Sequence, residues 1–216
     1  EDLVDLGLSL RTIEPLRHEF AGQLAIARKE RPGAGRKSNP ARDMARTDAY
    51  PGFLPHAIGE QYARLVSNLK TMRTLATMNE PGRAAQLETA RLNVAWSLGV
   101  LSHFVGDAAQ PLHTTRHHHG WVGDNPNGYT TRWEIHADID ATVLQKHKLY
   151  EEAIRASFEA DRPDLANINE SNPWADVLAH IERSHAAMED IYKLDKSGEL
   201  WNEPGKQLIT QRLTDA

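Results

Sequence analysis

Beyond residue 52, apolar positions recur every three or four residues over most of the chain. Leu54, Ile58, Tyr62, Leu65, Leu69, Met72 and Leu75 make one stripe, which predicts an amphipathic helix over 53–78. Asn79-Glu80-Pro81-Gly82 is a break, and a second helix should run from about 84 to 109. It carries Leu87, Val94, Leu98, Leu101 and Val105 on one face and Trp96, Val100 and Phe104 on the others. A helix apolar nearly all round is expected to be buried. Gln110-Pro111 ends it. A polar loop over 114–130 follows, rich in His, Gly, Asn and Pro. Thr131 and Glu134 then have the spacing of a capping box, which predicts a helix over about 132–159. Another helix should begin after Asn172-Pro173, with Leu178, Ile181, His185, Met188 and Tyr192 on its stripe. Gly198 separates it from a last helical stretch. No segment alternates with period two, so the expected class is all-α: a single mainly helical domain whose central helices are buried.

Residues 1–52 lack this patterning and read as an irregular N-terminal segment, with the core spanning 53–216. Arg28, Lys29, Arg31, Arg36, Lys37, Arg42 and Arg46 are interleaved with Gly and Pro there. A solvated loop is the reading favoured, and a phosphate-attracting arm is the other. The chain starts Glu1-Asp2-Leu3 and stops at Ala216, so the expectation is that native sequence is missing at both ends, a signal peptide included.

Composition narrows the function. The net charge is −5 over 216 residues, which disfavours a protein that grips duplex DNA by its phosphates. No run of 18 apolar residues exists, so no transmembrane anchor is expected. The chain has no cysteine. Any metal must therefore be held by imidazole and carboxylate.

Of 11 histidines, six lie between residues 103 and 136. His103 and Asp107 are four apart in the most apolar helix, on one face. His113 follows just past Pro111. His136 and Asp140 repeat the four-residue spacing in the next helix. Either pair alone could be an ordinary hydrogen-bonded or surface pair. Both pairs together with His113, inside 38 residues, point to a metal site; zinc accepts such sets, and carboxylates can bridge two ions. The run His117-His118-His119 is read as a loop feature, and His147, two turns beyond Asp140, as structural. The loop between the ligand groups, with Trp121, Asn125, Asn127 and Tyr129, is expected to line the substrate entry, where an aromatic ring would stack a base or meet a lipid head group. No His-Glu-x-x-His, Gly-rich phosphate loop or Gly-x-Ser-x-Gly elbow is present.

The stretch from Leu101 to His113, with His103-Phe104-Val105-Gly106-Asp107 followed by Gln110-Pro111-Leu112-His113, resembles the central motif of the zinc-dependent phospholipase C and single-strand-specific nuclease superfamily. Ile135 to Asp140 is similar to that family's second His-x3-[Asp/Glu] helix, and the 22-residue gap suits the nuclease branch better. The resemblance covers about residues 84–145. It implies a site of two to three zinc ions, with Asp107 bridging two of them beside His103, and His113, His136 and Asp140 holding another. The family's further ligands lie near its mature N-terminus, beginning with a Trp that this chain does not have; Asp5 and His18 are the matches offered for its Asp and His. The implied activity is hydrolysis of phosphodiesters by metal-activated water, nuclease-like, with single-stranded nucleic acid, a nucleotide or a phospholipid as substrate. A phospholipase C-like enzyme or phosphomonoesterase on the same site is the first alternative, and a non-catalytic helical protein with a structural zinc site the second. A secreted or periplasmic location goes with the resemblance. Oligomeric state is not legible.

Overall fold

The computed structural model describes residues 2–34, 52–160 and 172–215. The chain is all-α: among the described residues there is no strand. After a single turn, α1 (Asp2–Asp5), come α2 (Arg17–Glu30), α3 (Leu54–Met78) and α4 (Ala84–Ala109). A 3₁₀ turn, Pro111–Thr114, and a long loop lead to α5 (Ile135–Ala137), a π-helical turn over Asp138–Thr142 and α6 (Val143–His147). Then follow α7 (Glu151–Ala160), α8 (Pro173–Ala186), α9 (Met188–Ser197), a 3₁₀ turn Glu199–Trp201 and α10 (Glu203–Asp215).

Helices α3 and α4 form a long antiparallel hairpin. Asn79 closes α3 in the left-handed conformation at φ 49°, and Pro81 opens the turn that leads into α4. Within the hairpin the Asn68 side chain donates to Ser97 Oγ at 2.7 Å, satisfying a hydroxyl that is 1% exposed. The expectation that α4 is buried all round is not met. Leu92, Trp96 and Leu98 are 62%, 72% and 54% exposed. The helix packs on α3 along its length and reaches α8 through Leu101, Phe104, Val105 and Ala108 in its C-terminal turns. Where α3 is its main neighbour, as around Leu92, Trp96 and Leu98, the helix covers one face only, however apolar the rest.

The core beside the histidine-rich segment is built from Leu112, Ile135, Ile139, Val143, Ile191, Tyr192 and Leu200, all nearly inaccessible. It fastens the 3₁₀ turn, α5, α6 and α9 to one another. The loop over 115–134 is pinned to it: Trp121 N–H donates to Thr130 O at 2.8 Å, and Asn125 brackets the Tyr129 backbone with bonds of 2.7 and 2.8 Å. Gly120, at φ 96°, lies where a Cβ would fall 2.5 Å from the Thr131 backbone carbon, so the loop closes only over glycine. Thr131 does not cap the next helix. That helix starts at Ile135, with no side-chain cap, and ends at His147, where Lys148 turns left-handed at φ 54°. The expected single helix over 132–159 is thus two.

The N-terminal segment departs most from its reading. Arg17–Glu30 is helical, and Phe20, Leu24 and Ala27 on one face bury against Leu6 and Ile13. Phe20 also stacks on His56 at 4.8 Å, and His56 Nε2 meets Glu14 O at 2.8 Å. Bidentate pairs Arg17–Glu60 and Arg11–Glu182 tie the segment to α3 and α8, though exposed pairs add little stability. Arg36, Lys37, Arg42 and Arg46 lie outside the described residues. Because Phe20 is wholly buried, Phe20→Ala should destabilise the protein by about 3–5 kcal/mol. Urea unfolding checks this; an unchanged midpoint would mean that residues 1–30 are a loose arm.

Candidate metal centre

All five of the principal sequence-derived ligands come together. The C-terminal turns of α4 present His103 and Asp107, with His103 Nε2 and Asp107 Oδ2 3.4 Å apart. Pro111 turns the chain so that His113 folds back beneath them, and its Nδ1 lies 3.3 Å from Asp107 Oδ1. From the other side, α5 brings His136, whose Nε2 is 2.8 Å from His113 Nε2 and 2.9 Å from Asp140 Oδ2. Asp140 sits in the π-helical turn, a distortion that recurs at functional sites. Gln110 holds Asp140 in place: its Nε2 donates to Asp140 Oδ1 at 3.0 Å while its Oε1 accepts from Leu112 N–H. The second oxygen of Asp140 is thereby left for the histidines.

A sixth residue, His118, completes the cluster. His113, His118 and His136 each offer a ring nitrogen within 4.8 Å of the others. His118 Nδ1 lies 3.0 Å from the Leu112 carbonyl; donating there, it leaves Nε2 with its lone pair, the tautomer a metal needs. The three consecutive histidines therefore do different things. His117 is 2% exposed, stacks on Trp121 at 3.9 Å and accepts from Val122 N–H on Nδ1. His119 stacks on Trp133 at 3.4 Å. No periodic signal in the sequence separates His118 from its neighbours; the turn at Pro111–Thr114 does.

The donor set fits a cation. With His113 Nδ1 towards Asp107, its Nε2 carries a lone pair, and so does an unprotonated His136 Nε2 facing it. Two ligand nitrogens of a tetrahedral zinc ion sit about 3.3 Å apart, given Zn–N bonds of about 2.05 Å. A contact of 2.8 Å needs only a small spreading of the rings to admit the ion, whereas without one a proton must take its place. Asp107 turns one oxygen to His103 Nε2 and the other to His113 Nδ1, so it orients the His113 ring from the side away from His136.

The burial of the site is graded. The His113 and His136 side chains are 22% and 18% exposed, Asp107 32%, Asp140 40% and His103 68%. The pair His103–Asp107 is therefore not in an apolar interior, as α4's composition implied, but at a rim. The rim opens on a groove of about 380 Å³ floored by His103, Asp107, Gln110, His113 and Asp140 and walled by Ile139, Leu144, Ile209, Arg212 and Leu213. His118 and His136 lie behind His113, away from the groove.

The remaining sequence-derived site residues are placed elsewhere. Trp121, Asn125, Asn127 and Tyr129 do not border the groove. Trp121 and Tyr129 pack on Tyr192, and the Tyr129 hydroxyl donates to Glu189 at 2.7 Å; Asn127 reaches the same carboxylate. The loop faces its own core, in which Tyr192 is fully buried. Asp5 pairs with Arg116 at 3.0 Å and His18 is exposed on α2; neither joins the histidine cluster. His147 lies 3.5 Å from the Leu200 carbonyl, away from the groove.

Burial disfavours the charged imidazolium, and His118 is pushed down to about 4, chiefly by desolvation and then by His136. His136, His56 and His180 are lowered too, desolvation again being the first cause. These folded-state values lie below the unfolded one, so the unfolded chain takes up protons first as pH falls. The contribution is fully present above about pH 6.5 and is lost below it, by at most about 1.4 kcal/mol per pH unit for each histidine. Zinc-free protein should melt at a clearly lower temperature at pH 5 than at pH 7.5. Equal melting temperatures would show that these rings are not held neutral.

Compared with family models, with characterised proteins and with solved structures, the chain gives no match.

Proposed function

We propose that the protein is a zinc-dependent phosphoesterase that hydrolyses phosphodiesters in a nuclease-like manner. The observation that carries this is the convergence of His103, Asp107, His113, His118, His136 and Asp140 from three chain segments onto and beneath one open groove. His113, His118, His136 and Asp140 would hold one zinc ion; His103 and Asp107 would hold a neighbouring one. Bound zinc lowers the pKa of water towards neutrality and neutralises charge on phosphoryl oxygens. The protein's own residues do the rest. Asp107 orients the His113 ring through Nδ1 while facing His103, and Gln110 orients Asp140. No side chain of the groove is set up as an activated nucleophile: the Ser102 hydroxyl donates to Gly99 O at 2.9 Å, the chain has no cysteine, and His103, Asp107, His113 and Asp140 would be taken up by the metal positions. Water is then the attacking group. The likeness of Leu101–His113 and Ile135–Asp140 to the zinc phospholipase C and single-strand nuclease superfamily supports the same reading, and a secreted or periplasmic setting would suit it.

A second reading, a phospholipase C-like enzyme, is favoured by one feature. The groove wall is apolar, and the exposed side chains of Leu92 and Trp96 share the face of α4 that carries His103 and Asp107. Such a lip suits a substrate with a lipid portion. Zinc-replete protein assayed on single-stranded DNA, RNA, a nitrophenyl phosphodiester and a phosphatidylcholine analogue separates the readings. Cleavage of a diester or nucleic acid, lost with chelator and in His113→Ala, is expected. Cleavage of the lipid alone selects the second reading. Full zinc occupancy with no cleavage makes the site structural.

A further inference from the structure

One wall of the groove carries a cation whose partners do not account for it. Arg212, on the last turns of α10 between Ile209 and Leu213, has a side chain 11% exposed. Its Nη2 pairs with Asp215. Its Nη1 is buried and makes no hydrogen bond among the described residues. A guanidinium offers five donors, and withdrawing one from water is costly unless acceptors replace the solvent. Burial, and after it the like charge of Arg183 on α8, lowers the Arg212 pKa. The carboxylates of the groove offer no relief: Asp107 is turned to His103 and His113, and Asp140 to Gln110 and His136.

We propose that Arg212 is the anion-binding residue of the groove, taking the non-bridging oxygens of a phosphate ester whose phosphorus lies over the histidine and carboxylate floor. The assignment rests on the phosphoesterase reading above. A guanidinium matches the geometry of two phosphate oxygens, and Arg212 lines the same groove of about 380 Å³ as His103, Asp107 and His113. Nη1 is closed to solvent as it stands; a rotation of the guanidinium towards the groove would bring it to an oxyanion, which would supply the acceptor that it lacks and offset the charge shared with Arg183. Asp215 then acts as a competing internal anion, holding the guanidinium in place while the groove is free of substrate.

The test is titration calorimetry of inorganic phosphate into the zinc-replete full chain, with turnover measured in parallel. Arg212→Gln should weaken phosphate binding at least tenfold and raise KM more than it lowers kcat, with zinc content unchanged. Asp215→Asn, which frees Nη2, should tighten phosphate binding about threefold or more; it carries the test if Arg212→Gln does not fold. Phosphate affinity equal to the unaltered protein in both variants would overturn the assignment while leaving the phosphoesterase reading intact. Absence of zinc binding or turnover in the unaltered chain would count against that reading instead, and the phosphate titration would still decide for Arg212.

Discussion

Stripping zinc from the protein is expected to lower its melting temperature by roughly 10 °C. At a free zinc concentration about 1,000 times the dissociation constant, binding to the folded state alone adds about 4 kcal/mol. For a chain of this length each kcal/mol moves the midpoint by about 2–4 °C. The physical source is the inner cluster. His113, His118 and His136 bring three ring nitrogens within 4.8 Å, from a 3₁₀ turn, a loop and a short helix that belong to one core. The ion would cross-link all three elements. Thermal melts at pH 7.5, with zinc and with a strong chelator, check this; superimposable curves would mean that the histidines hold no metal.

The second large effect concerns individual histidines. His113→Ala should lower turnover by at least about 1,000-fold, because His113 alone belongs both to the three-histidine cluster and to the groove floor. His118→Ala should weaken zinc binding at least about 100-fold, at or beyond the upper end of what loss of an outer-shell partner costs. His117→Ala provides the contrast. Its ring is buried against Trp121, so the variant should lose stability by about 2–4 kcal/mol, on the scale of other buried truncations, yet keep its zinc affinity. Calorimetric zinc titrations of the three variants read this directly. If His117→Ala and His118→Ala behaved alike, the division of roles within the run would be wrong.

Much of the architecture was legible because its punctuation is local. Asn79, Pro81, Pro111, Asn172 and Gly198 each end or begin a helix by their own backbone preference, and the structure has α3, α4, the start of α8 and the end of α9 at those points. The single helix expected between Asn172 and Gly198 is two, parted at Ala187, where neither Gly nor Pro marks the break. The two His-x3-Asp pairs were legible for the same reason, since four-residue spacing on a helix sets neighbours by geometry alone. Other features depend on what lies across space. Composition says how apolar α4 is, but not that α3 covers one face of it. The break at Lys148 has neither Gly nor Pro, and a left-handed lysine leaves no mark in the pattern. The stripe of α2 is only Phe20, Leu24 and Ala27, too sparse to stand out among charged residues. His118 is chosen from three identical neighbours by the fold of the turn before it, and Arg212 stands 72 residues beyond Asp140 in the chain. Trp121 and Tyr129 show the converse: a loop between ligand groups in sequence need not face the ligands.

These histidines and carboxylates are expected to hold zinc. Zinc content is the most direct measure of it: the full chain is saturated with zinc, dialysed against zinc-free buffer at pH 7.5 and analysed by mass spectrometry of the metal. Two equivalents per chain are expected, one for the cluster of His113, His118, His136 and Asp140 and one for His103 with Asp107. Retention of less than about a tenth of an equivalent would contradict the account.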